Sequence, residues 1–170
     1  MNKSREISIE KVTLNIGAGK SSEKLEKGLK LFEMITGTKP VKTFTMKRIA
    51  AWSLRPGLPI GCKVTIRGPK AAELLKRMLG AVDNKLNPRQ FDEEGNIAFG
   101  IPEYIDIPGI DYSPEIGVLG LQVCATLMRP GFRIKRRRLQ KKKIGKKHKI
   151  SKQDAIEFLK KNFNMILEEE

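Results

Sequence analysis

Two short stretches of the chain alternate strictly between apolar and polar residues. In Lys11-Val12-Thr13-Leu14-Asn15-Ile16, the residues Val12, Leu14 and Ile16 share one face, and Lys11, Thr13 and Asn15 share the other. Cys62-Lys63-Val64-Thr65-Ile66-Arg67 repeats the arrangement, with Lys63, Thr65 and Arg67 opposite Cys62, Val64 and Ile66. A period of two predicts strands with one buried face. Both outer faces carry only cations and short hydrogen-bonding side chains, a set that suits phosphate and ribose as well as water.

A period near 3.6 takes over between and after these strands. Leu25, Leu29 and Phe32 follow the capping candidates Ser21 and Ser22, and Gly37 supplies a stop before Pro40. Gly68-Pro69 opens a second helix whose Ala71, Leu74, Leu75, Met78, Leu79 and Val82 form one apolar stripe. Extended patterns return after Asn87-Pro88. Phe91 and Ile97 flank a DEEGN turn, Ile97, Phe99 and Ile101 alternate, and residues 119–127 alternate with Gln122, Cys124 and Thr126 on the second face. Between them IPGIDYSPEIG, rich in Pro and Gly, predicts an ordered loop.

Ile150 and Ser151-Lys152-Gln153-Asp154 have the form of a hydrophobic staple and a capping box. They open a helix expected over residues 151–167, with Ile156, Leu159, Phe163 and Ile166 on one stripe and a last turn frayed by three terminal glutamates. The order strand, helix, strands, helix, strands, arm, helix predicts a single α+β domain over residues 1–170. Its antiparallel sheet has helices packed on one face, followed by a basic arm and a C-terminal helix.

Charge changes the picture at one place. Residues 129–149 hold twelve Lys or Arg and no acid: Arg129, Arg133, Lys135, Arg136, Arg137, Arg138, Lys141, Lys142, Lys143, Lys146, Lys147 and Lys149, with the only histidine, His148, among them. They supply +12 of the formal +15, leaving 22 basic against 19 acidic residues, +3, on the remainder. A nearly neutral body with one concentrated cationic segment predicts an arm for a polyanion. Nucleic acid gains most from it, because each neutralised phosphate releases counterions. A membrane contact fits poorly, since only Leu139 and Ile144 lie near the central cations to form an inserting face. The opening MNKSREISIE lacks an apolar leader core, and no run approaches the ~18 to 20 apolar residues of a membrane span. A soluble cytoplasmic protein is expected, with Cys62 and Cys124 as small core residues in a reducing compartment.

Catalytic chemistry nearly surfaces at Gly17-Ala18-Gly19-Lys20-Ser21, which follows a strand and precedes a helix. A phosphate loop needs glycine where Leu14 stands, and a dinucleotide fingerprint needs one where Ser22 stands. The turn is expected instead to leave backbone N–H groups for an RNA phosphate. One histidine and two separated cysteines make neither a triad nor a zinc set, so no cofactor, metal or catalytic residue is assigned. A nucleotide-binding enzyme and a chromatin-like basic nucleic-acid-binding protein are competing readings. Residues 45–61 mix Lys47, Arg48 and Arg55 with Trp52, the sole tryptophan, ahead of a Pro-Gly-rich turn. The indole is either core or a stacking platform, and the flanking cations favour an RNA-facing loop.

KVTLNIGAG, GTKP, LRPGLPIGCKVTIRG, FDEEGNIAFGI, IPGIDY and GLQV, in that order, resemble the large-subunit ribosomal protein five family, the 5S-rRNA-binding protein of the central protuberance. Arg129-Pro130-Gly131-Phe132 and the segment from Ile144 to Ile150 resemble its archaeal and eukaryotic branch, whose eukaryotic member is large-subunit protein eleven. That resemblance implies 5S rRNA on the polar sheet face, with Asn15, Thr38, Trp52 and Thr65 at matching positions. It also implies contact with large-subunit rRNA, reach of the Lys47 to Arg55 loop toward P-site tRNA, and neighbouring ribosomal proteins of the central protuberance as partners.

Overall fold

The structure, a computed structural model, describes residues 3–168. Its strands are β1 (Ser8–Gly17), β2 (Val41–Phe44), β3 (Pro59–Ile66), β4 (Lys85–Leu86), β5 (Ile97–Ile101), β6 (Leu121–Met128) and β7 (Ile166–Leu167). All but the short β4 and β7 form one antiparallel sheet, in the order β2-β3-β1-β6-β5. Helices α1 (Ser22–Thr36) and α2 (Pro69–Gly80) pack against β1 and β3. The α+β architecture expected from the element order is the observed one.

The alternation written into the strands decides what is buried. Val12, Leu14, Ile16, Cys62, Val64, Val123 and Ala125 are all enclosed in the core, together with Ile97, Phe99 and Ile101 of β5. Cys124, expected in the core with Cys62, is exposed. It falls on the outward parity of β6, between buried Val123 and Ala125, and parity rather than residue type sets its environment. Burial pushes the Cys62 thiol up to about 11.

Local signals place the helix ends. Ser21 caps α1 by accepting from the Lys24 amide, and Gly37 closes it at φ 62°, its amide donating to the Glu33 carbonyl. The buried stripe of α1 is Leu25, Gly28, Leu31, Phe32 and Ile35, with Leu29 only half-buried. Gly68 and Pro69 open α2 as expected, and Ala71, Leu74, Leu75, Met78 and Leu79 form its buried face; Val82 lies beyond its end. IPGIDYSPEIG belongs to an ordered connection between β5 and β6, pinned by fully buried Tyr104, whose hydroxyl accepts from the Ser113 amide at 3.0 Å.

The C-terminal helix is shorter than the expected 151–167. Helix α3 (Lys152–Phe163) begins with the foreseen capping box, Ser151 and Asp154 each accepting from the other's amide. It stops where Asn164 turns left-handed, and the chain then extends as β7 beside β4 in a two-stranded parallel pair. Ile166 is therefore exposed rather than on a helical stripe, while Met165 is buried. The expected fraying of a last turn has no counterpart at Glu168, which lies past the helix and whose amide donates to the Leu86 carbonyl; Glu169 and Glu170 lie outside the described residues.

Candidate nucleic-acid interface

Strand register sorts the outward side chains into rows. Val41, Lys63, Asn15, Gln122 and Gly100 stand side by side across all five strands. The next row is Thr65, Thr13, Cys124 and Ala98, and beyond it Lys11 faces Thr126. Asn15 donates to Gln122 at 3.1 Å, and the Thr13 and Thr65 hydroxyls are 3.4 Å apart. These rows contain no carboxylate. Their side chains are short at the centre and cationic toward β3, so a sugar–phosphate backbone could approach closely and meet donors.

One acid borders this face. Glu10 stands at a register shift between Ile9 and Lys11 and is buried, at the same parity as Val12 and Leu14. Its carboxylate is enclosed, and Oε1 accepts from Arg136 Nη1 at 2.7 Å with Arg67 Nη1 at 3.5 Å. Glu10 thus converges two cations from distant parts of the chain on one corner of the sheet. Gln122, Thr126, Val41 and Glu10 were not among the expected site residues. Gln122 and Thr126 were visible in the alternation of residues 119–127, whereas the partners of Glu10, Arg67 and Arg136, lie too far along the chain for any local pattern to show them.

The expected residues separate into three groups. Lys11, Thr13, Asn15, Lys63, Thr65 and Arg67 come together at the outer face. Thr38 lies on the exposed turn between α1 and β2, where its amide donates to the Thr36 hydroxyl at 3.2 Å. Trp52, 67% exposed, is not core: it stands on the connection between β2 and β3 with exposed Lys47, Arg48 and Arg55. Backbone pairing and one buried side chain shape that loop. Ile49 and Leu54 exchange backbone hydrogen bonds, Thr45 donates to the Leu58 carbonyl, and Leu54 is buried beneath.

The turn after β1 departs from expectation. The amides of Ala18 and Gly19 both donate to the Ile60 carbonyl, at 2.9 and 3.0 Å, so neither is left for a phosphate. Pairing with β3 consumes them.

Nor is the basic segment an extended arm whose charges keep it open. Its two ends meet: Arg129, buried, pairs with Asp154 at 3.1 Å and donates to the Lys149 carbonyl at 2.9 Å. His148 Nε2 lies 2.9 Å from the Pro130 carbonyl, and its ring meets buried Phe132 edge-on while Lys135 covers the Phe132 ring at 5.1 Å. Lys149 pairs with Glu94 at 2.8 Å, which lowers the Glu94 carboxyl and raises the Lys149 ammonium. Burial would lift the Asp154 carboxyl, but hydrogen bonds from Ser151 and the Arg129 guanidinium hold it below its ordinary value. Three acids and an aromatic anchor overcome the repulsion, and Arg133, Arg138, Lys141, Lys142, Lys143, Lys146 and Lys147 remain exposed.

Family models match almost the whole chain. One, described as ribosomal protein L5, covers residues 2–55, and a second, for the C-terminus of the same ribosomal family, covers residues 59–158. The large ribosomal subunit protein uL5 of Sulfurisphaera tokodaii is 48% identical over 170 aligned positions, taking in 99% of this chain and 96% of that protein. Its counterpart in Nanoarchaeum equitans is 52% identical over 155 positions, 91% of each chain. That of Sulfolobus acidocaldarius is 45% identical over 166 positions, 98% of this chain and 93% of the other.

Proposed function

We propose, from the premise that the chain belongs to the ribosomal protein L5 family, that this structural constituent of the large ribosomal subunit holds 5S rRNA on the outer face of its sheet. Membership makes it a non-enzymatic protein of the ribosome, in the cytoplasm, and sets aside both the nucleotide-binding enzyme and the non-ribosomal nucleic-acid-binding protein.

The observation that carries the 5S reading is the carboxylate-free grid of Lys11, Thr13, Asn15, Lys63 and Thr65, continued by Gln122 and Thr126. Its hydroxyls and amides can meet ribose and base edges, and its cations can meet phosphates. Arg67 and Thr38 border the same contact. The folded basic segment takes large-subunit rRNA, since Glu10, Glu94 and Asp154 pair with only three of its cations and leave Arg133, Arg138, Lys141, Lys142, Lys143, Lys146 and Lys147 exposed for phosphates. Lys47, Arg48 and Arg55 form an exposed cationic loop suited to phosphate contact, which we assign to P-site tRNA, while exposed Trp52 beside them offers a stacking surface to 5S rRNA. Neighbouring ribosomal proteins of the central protuberance complete the partners.

Co-sedimentation with large subunits in high salt, combined with filter binding to 5S rRNA against an unrelated RNA of equal length, tests the reading. Retention and a clear preference for 5S rRNA are expected. Equal affinity for both RNAs would overturn the 5S assignment.

A further inference from the structure

Where the basic segment folds back against the end of β6, it forms a cleft of about 480 Å³ whose apolar wall the contacts assigned above leave unused. Leu127, Phe132, Ile144 and Ile150 give it an apolar wall. Three of these are core residues and Ile144 is half-buried, so the wall is built by folding and not by chance exposure. Lys135, Lys143, Lys146 and Lys149 also line it, with the Lys135 ammonium over the Phe132 ring and that of Lys149 on Glu94. Glu94 is the one carboxylate in the lining, and it is committed to Lys149 at 2.8 Å.

This pairing restricts the chemistry of an occupant. The volume falls within the range of small-ligand sites, which runs from roughly 300 to 1,000 Å³. A free phosphate would leave the apolar wall wet, and an uncharged apolar molecule would leave the cationic rim unanswered. A nucleotide satisfies both, with a flat base of low polarity on its faces and a phosphate beside it. Phe132 is not available for face-on stacking, because the Lys135 ammonium covers its ring and His148 meets it edge-on. Packing on the isoleucines is what remains.

We infer that the cleft receives one unstacked nucleotide of ribosomal RNA, its base against Ile144 and Ile150 and its phosphate on Lys143 and Lys146. The inference rests on the rRNA-binding reading and deepens it: the segment selects a flipped-out nucleotide as well as attracting a backbone. Charge complementarity at the rim, net positive with its single acid already paired, favours RNA over an acidic peptide, which would offer no flat base for the wall.

Binding of the full chain to 5S rRNA and, separately, to deproteinised large-subunit rRNA tests it. Ile144→Trp, which fills the cleft without altering charge, is expected to weaken binding to one of the two RNAs about tenfold at unchanged salt slope, as loss of one base contact would. Lys143→Gln with Lys146→Gln should flatten the slope of log affinity against log salt by about one to two units. Melting curves report whether each variant folds. In the unmodified chain, upfield shifts of the Ile144 and Ile150 methyl resonances on adding RNA supply a reading that does not depend on any substitution. Unchanged affinity of a folded Ile144→Trp for both RNAs, or methyl resonances that stay in place while the Thr13 and Thr65 signals move, would overturn the inference and leave the rRNA reading standing. Failure of the unmodified chain to prefer either RNA over an unrelated one would overturn that reading and the inference with it.

Discussion

Arg136 donates to Glu10 over 2.7 Å, joining the middle of the basic segment to the bulge of a strand 126 residues earlier. The acid is enclosed and the arginine is nearly half exposed, so the pair works as a tether. It adds a third attachment to a cation-rich loop whose ends are held by the Arg129–Asp154 and Lys149–Glu94 pairs.

Replacing Glu10 by Ala should loosen that loop. A charge-assisted hydrogen bond to a partly exposed arginine is worth roughly 1 kcal/mol, so the melting temperature should fall only slightly. Trypsin cleavage around Lys141, Lys142 and Lys143, timed by mass spectrometry, should accelerate. Equal cleavage rates in the two proteins would show that the Asp154 and Glu94 pairs hold the loop unaided.

Acid should undo the ends of the segment before it unfolds the body. Glu94 is held low by the Lys149 ammonium, and Asp154 is held low against burial by Ser151 and Arg129. A carboxyl depressed in the folded state contributes stability above its unfolded pKa and loses it as pH falls through the folded one. Attachment should therefore persist from neutral pH down to about pH 4 and weaken below it. The Ile144 and Ile150 methyl resonances, followed by NMR through that range, should move before those of Val12 and Leu14. Simultaneous movement of all four would mean that the segment and the body unfold as one unit.

Substituting Asn15 and Thr65 by Ala should weaken 5S rRNA binding by about 1 to 3 kcal/mol in total. Stability should hardly change, because the Asn15–Gln122 and Thr13–Thr65 contacts are exposed to solvent. A sharp fall in melting temperature with full RNA affinity would make these residues supports of the sheet.

Changing Lys141, Lys142, Lys143, Lys146 and Lys147 together to Gln removes cations that carry no acid partner among the described residues. If all five meet phosphates, the slope of log affinity against log salt should flatten by roughly 4 to 5 units while preference for 5S rRNA largely survives. An unchanged slope would place these lysines in solvent or against a protein.

Trp52→Ala should leave the melting temperature unchanged, since the indole is exposed, and should weaken binding to 5S rRNA by about 1 to 3 kcal/mol. Destabilisation of the loop between β2 and β3, seen as faster proteolysis there, would show that Trp52 supports its own loop instead.

The sequence alone determined the features that repeat at short range. Alternation in residues 11–16 and 62–67 specified which side chains face out, because a strand has a period of two whatever it pairs with. The caps at Ser21, Gly68 and Ser151 were legible for the same reason: each is made by groups within a few residues. Tertiary structure decided the rest. Only pairing of β1 with β6 brings Gln122 beside Asn15, and only folding brings Arg136 and Arg67 onto Glu10. The pairing of β1 with β3 withdrew the Ala18 and Gly19 amides, and residues 166–167, expected in the last helix, pair with β4 instead. As a bare string of residues, twelve cations repel one another into an extended arm. Folding closes it, because Glu10, Glu94 and Asp154 come from three separated parts of the chain, and their attraction exists only once those parts are brought together.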